Sequence, residues 1–154
     1  MTGGTGGSPP QAGVSGMFRH ILVPVDLTEK NVRAVEAAGE LARAVRGRIT
    51  PLHVIETLDV PRDELRDFYQ RLEEKAGRHL AELGRPLDQA GVAVEQRVTF
   101  GKRVPEIVVQ ARDLAVDLII LASHRLDPDN AARGFLTISH QVAILAPCPV
   151  LMLK

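Results

Sequence analysis

From residue 18 onward the apolar positions switch between two periods, and each switch marks a new element. Residues 18–25, FRHILVPV, form an apolar run of strand length. Over residues 29–46 the spacing becomes helical, with Val32, Val35, Ala38, Ala42 and Val45 on one face. Thr28 is placed to cap that helix and Gly47 to end it. Residues 48–55, RITPLHVI, read as a second strand. Residues 61–91 are a long helical region with Arg62, Asp63 and Glu64 in its first turn and a predicted break near residues 84–86. A third strand alternates over 92–99, VAVEQRVT. A helix over 105–115 starts on Pro105 and turns Ile107, Val108, Ala111 and Leu114 inward. Residues 118–122 are a fourth strand, a polar loop follows, and a short helix near 137–145 leads to a fifth strand at 149–153. No internal repeat is evident.

Strands that alternate with helices give the α/β class, a parallel sheet covered on both faces. Right-handed crossovers leave few topologies. The order 3-2-1-4-5 places strands one and four side by side where the winding reverses, and ligands bind outside the carboxyl ends at such a reversal. Those ends carry Pro24, Val25 and Asp26 on one strand and Ala122, Ser123, His124 and Arg125 on the other.

Composition narrows the function more than the fold. The 154 residues suit one domain, expected over 17–154, and the Gly-, Ser-, Thr- and Pro-rich residues 1–16 read as a disordered tail, with Met17 the expected natural start. Nineteen basic residues balance nineteen acidic ones, so charge gives no case for nucleic acid or an anionic membrane as partner. Aromatics at 3%, with no Trp, argue against a base-stacking platform. A lone cysteine, Cys148, excludes an internal disulfide and fits a reducing cytoplasm. The longest apolar stretch, 142–153, is broken by Pro147 and Pro149, and falls short of the ~18 residues of a membrane helix.

Few side chains form a recognisable chemical constellation. The histidines at 20, 53, 79, 124 and 140 are not at metal-ligand spacing, so no metal site is expected. Cys148, between two prolines, reads as an inert thiol, and His53 as a packed strand-end residue. Asp127, Pro128, Asp129 and Asn130 lack the glycine and terminal glutamate of a calcium loop and read as a solvated turn.

Four segments in order carry a resemblance: HILVPVD at 20–26, PLHVIE at 51–56, VDLIILASHR at 116–125 and APCPVLMLK at 146–154. Together they resemble the universal stress protein family over nearly everything after Met17. The resemblance implies an adenine-nucleotide alpha-hydrolase-like fold and a cytoplasmic homodimer joined through the C-terminal strand. It also implies a regulatory rather than a catalytic role, with possible protein partners. Many members bind ATP. In those the fourth strand leads into Gly, two residues, Gly, nine residues, then Gly with Ser or Thr. Here Ala122 and Arg125 stand at the first two glycines, ten residues intervene instead of nine, and Leu136-Thr137 stands at the final pair. Glycines let backbone N–H groups approach phosphate, so their loss changes how a phosphate would be held.

Under this resemblance ATP or AMP, with Mg2+, would bind at the reversal. Asp26 would face the ribose, Ile49 the adenine, Arg125 the phosphates through its guanidinium, and Thr137, Ile138 and Ser139 the start of the last helix. Pro24, Val25, Ala122, Ser123 and His124 would complete the site. The alternative is a dimeric interaction module that binds no nucleotide, with residues 126–135 as its partner surface. A phosphoacceptor receiver built on Asp26 or Asp59 is weakest, because Leu27 and Thr28 follow Asp26 where a receiver clusters acids.

Overall fold

A computed structural model describes residues 16–59, 62–125, 128–130 and 137–154. Most of the expected N-terminal tail lies outside these residues. So does most of the 126–136 loop, including Asp127, Gly134 and Leu136.

Strands β1 (His20–Pro24), β2 (Arg48–Glu56), β3 (Ala93–Val94), β4 (Arg97–Gly101), β5 (Leu118–Ala122) and β6 (Val150–Leu153) form one parallel sheet. Their order is β3-β2-β1-β5-β6, with β4 also on β2. This is the expected 3-2-1-4-5 order with one refinement: the third strand is two pieces, so the sheet has six strands. The pieces keep a single register, Ile49 opposite Val94 and Leu52 opposite Arg97. Between them runs Pro51, which has no N–H to give the edge.

Helices α1 (Asn31–Val45), α2 (Arg66–Gln89), α3 (Arg103–Asp113) and α4 (Ile138–Leu145) cover the faces. On one face Ile21, Val23, Val25, Ile49, Leu118 and Ile120 pack with Ala34, Ala38 and Leu80 of α1 and α2. On the other, Leu22, Leu52, Val54, Ile119 and Leu121 pack with Ile107, Ala111 and Val142 of α3 and α4. Burial on both faces is why β1 is apolar without alternation.

Several boundaries differ from expectation. α1 begins at Asn31 with Lys30, not Thr28, at its cap, because the Thr28 hydroxyl donates to Asp26 instead. Val32 is exposed rather than inward. At the other end Arg46 takes the left-handed turn, with φ 54°, and Gly47 N–H donates to Ala42 O at 2.8 Å. α2 does not break at residues 84–86. Gly84 is buried against Val94, and Pro86 lies exposed near the helix end, where its missing N–H costs a single intrahelical bond. α3 starts two residues early, so Pro105 is third in the helix, still among the N–H groups that have no intrahelical partner. α4 forms as expected, with the Thr137 hydroxyl accepting from His140 N–H at 3.3 Å.

Candidate functional site

The reversal between β1 and β5 opens a cleft at the carboxyl ends of the strands. Val25 N–H donates to Leu52 O at 2.8 Å, and the His53 ring, through Nδ1, donates to Val25 O at 2.8 Å. His53 is thus the strand-end residue expected, and it pins the last turn of β1. The chain then leaves the sheet through Leu27, whose φ of 64° is left-handed. That conformation costs an L-residue ~1–2 kcal/mol. It folds Thr28 back onto Asp26.

The Asp26 carboxylate is consequently fixed. Its Oδ1 accepts from Thr28 N–H at 3.0 Å, from the Thr28 hydroxyl at 2.6 Å and from the Asn31 side-chain amide. Asn31 is buried and also donates to Thr28 O at 3.0 Å. Partial burial alone would raise the Asp26 carboxyl. The donors from Thr28 and Asn31 outweigh it and hold the group below the usual carboxylate value. All three donors converge on one oxygen, so Oδ2 keeps its acceptor capacity for a ligand.

Across the reversal, Ser123 N–H donates to Leu153 O at 2.7 Å, which ties the end of β5 to β6. The Ser123 and Ser139 hydroxyls lie 3.3 Å apart, as do those of Thr137 and Ser139. Three hydroxyls therefore line the amino end of α4, where unsatisfied N–H groups and the helix dipole favour an anion.

The cleft has a volume of about 850 Å³, within the range of small-molecule sites. Of the residues named from the sequence, Pro24, Val25, Asp26, Ala122, Ser123, His124, Thr137, Ile138 and Ser139 line it. Two expected residues do not. Ile49 is fully buried among Ile21, Ala38 and Leu80, because it sits at the start of β2 while the cleft lies beyond the strand ends. Arg125 is exposed, three residues past β5, and lies outside the lining.

Other lining residues went unnoticed in the sequence. Leu52, Val54, Ile107 and Leu121 give an apolar wall. Lys30, Arg33, Arg103 and Lys154 give four cations. Arg103 pairs with Glu56 at 3.4 Å, and Lys154 Nζ donates to His124 O at 3.4 Å. The available signal was Lys30 and Arg33 three apart at the start of a helix, where acids are usual.

The cleft suits Mg2+ poorly. Asp26 is the one carboxylate among its described lining residues, and one of its oxygens is already occupied. Among the described residues no three His, Cys, Asp or Glu side chains come together to hold a metal. Cys148 lies away from the cleft, half-buried, its thiol pushed up by burial first and by Asp117 second, which disfavours the nucleophilic thiolate. No helix among the described residues is long and apolar enough to cross a membrane.

Comparison with known proteins agrees with this architecture. The chain is 25% identical over 150 residues to universal stress protein YxiE of Bacillus subtilis, covering 90% of this chain and all of that protein. It is similar to a universal stress protein crystallised with cAMP, at 21% identity and a TM-score of 0.67, covering 90% of this chain and 98% of that one. It is also similar to the universal stress protein from Archaeoglobus fulgidus in complex with dAMP, at 19% identity and a TM-score of 0.65, covering 90% and 99%. The profile of the universal stress protein family matches residues 17–154, the whole of the sheet and its helices, and the chain belongs to that family.

Proposed function

We propose that this protein binds an adenine nucleotide, ATP or AMP, in the cleft between the ends of β1 and β5, and that occupancy regulates a stress response in the cytoplasm. The observation that carries this reading is the orientation of Asp26. Three donors on Oδ1 leave Oδ2 as a fixed acceptor beside an apolar wall, which suits a ribose hydroxyl next to an adenine. The hydroxyls of Ser123, Thr137 and Ser139 at the start of α4 suit a phosphate. The cAMP and dAMP complexes of two similar proteins add support. The role is binding rather than catalysis: Asp26 is engaged as an acceptor, and its lowered carboxyl makes it a poor general base near neutrality.

A second reading, a dimeric interaction module without nucleotide, draws on Ala122 and Arg125 at positions where glycines would admit a phosphate loop. One experiment separates the two. Thermal unfolding of the full chain is followed with and without AMP, ADP and ATP. Ligand at 100 times its dissociation constant adds ~2.7 kcal/mol, and each kcal/mol moves the midpoint ~2–4 °C in a domain of this size. A rise of about 5–10 °C with one nucleotide is expected, and Asp26→Ala should abolish it. No rise with any nucleotide at millimolar concentration would favour the interaction module.

In either reading we propose a homodimer joined through β6. Leu151 of that strand is exposed, and so are Ile144 and Leu145 of α4, a helix in contact with the strand.

A further inference from the structure

Charge is unevenly placed in the cleft. Lys30, Arg33, Arg103 and Lys154 line it, against the single carboxylate of Asp26 among the described lining residues. Arg103 is partly matched by Glu56. Lys30 and Arg33 have no ion-pair partner among the described residues.

Their position opposes helix stability. Lys30 is the cap of α1 and Arg33 lies in its first turn, and that turn has no acidic residue. The amino end of a helix carries partial positive charge and favours acids. Both residues line the same cleft as the three hydroxyls at the start of a second helix. An anion in the cleft would relieve the repulsion at α1. A divalent cation would add to it, and Mg2+ is usually held by one or two carboxylates together with phosphate oxygens.

Resting on the nucleotide-binding reading, we propose that the cleft takes its nucleotide as the metal-free anion, with Lys30 and Arg33 foremost among side chains that supply the counter-charge. Affinity then grows with phosphate charge. Lysine and arginine hold phosphate oxygens by charge-assisted hydrogen bonds, in place of the backbone donors that glycines would have exposed.

The test is calorimetric titration of the full chain with AMP, ADP and ATP, once with EDTA and once with excess magnesium. In EDTA the affinity should rise from AMP to ATP and fall steeply with added salt. Magnesium should weaken ATP about tenfold, the equivalent of one charge-assisted contact. The double variant Lys30→Gln, Arg33→Gln should lose the preference for ATP over AMP. Its ligand-free midpoint should be equal to or above that of the parent, since like charges leave the helix start. ATP binding that needs magnesium, gains from it or is indifferent to it overturns the proposal and leaves nucleotide binding intact. A double variant that keeps the ATP preference overturns it as well. No nucleotide bound in either buffer removes this proposal together with the nucleotide-binding reading.

Discussion

Asp26 and His20, near the two ends of β1, are both shifted below their ordinary values, which favours the neutral imidazole in one and the charged carboxylate in the other. His20 is buried, with Nε2 2.8 Å from the Thr50 hydroxyl and Nδ1 3.1 Å from Leu114 O. Nδ1 also lies 3.2 Å from the Arg48 guanidinium, which can only donate, so Nδ1 has a partner in either neutral tautomer. Burial first and the Arg48 guanidinium second lower its pKa, against upward pulls from Leu114 O, Glu95 and Asp117. Because the folded pKa is depressed, the unfolded chain takes up this proton first. The stability tied to neutral His20 is present above the usual value of 6.5 and is lost as pH falls below it. Thermal midpoints should therefore fall from pH 7 toward pH 5, and an NMR titration should place His20 below the ordinary imidazole value. A value at or above it would overturn the downward shift. Asp26 behaves differently: its contribution is present above the usual 3.8 and lost only as pH drops through its lower folded value. At this scale the sequence exposed Asp26, because a carboxylate just past a strand end is visible in one dimension. Ile49 lies outside the cleft lining, a placement hidden in the sequence because a strand pattern says which face a residue lies on, not how far it stands from the strand's end.

Among the elements, glycines mark the tight contacts that periodicity does not reveal. A Cβ on Gly47 would lie 2.8 Å from Arg19 O and 3.0 Å from Phe18 O, backbone atoms that cannot swing aside. Gly47→Ala should cost about 1–3 kcal/mol, seen as a midpoint lower by roughly 3–10 °C. Gly77, within α2, has nothing within 4 Å of such a Cβ. Gly77→Ala should instead add about 0.5–1 kcal/mol from helix propensity. Equal effects at the two sites would show that the α1–β2 turn is looser than its geometry. The helices themselves were legible, since their apolar faces repeat every three or four residues. The break expected at Pro86 was not there. A proline near a helix end costs one bond, and sequence alone does not say where the helix end will fall.

Over the whole molecule, the strand order followed from the alternation of strands and helices. What alternation hid was the split of the third strand, because VAVEQRVT reads as one run and only its register against Pro51 divides it. That split also makes the two sheet edges unlike. The β3–β4 edge is interrupted and carries the Glu95–Arg97 ion pair at 3.0 Å, both features that discourage pairing. The β6 edge, Val150–Leu153, is unbroken and uncharged, with Leu151 43% exposed and Ile144 of the contacting helix α4 68% exposed. Self-association should therefore use β6. A two-fold axis counts each substitution there twice. Leu151→Lys should weaken the dimer by roughly 4 kcal/mol, about a thousandfold, measured by light scattering across a dilution series. Leu151 does not line the cleft, so the variant monomer should still show the nucleotide-dependent midpoint shift. A parent chain that is monomeric at every concentration would remove the β6 dimer, and a dimer indifferent to Leu151→Lys would move the interface elsewhere.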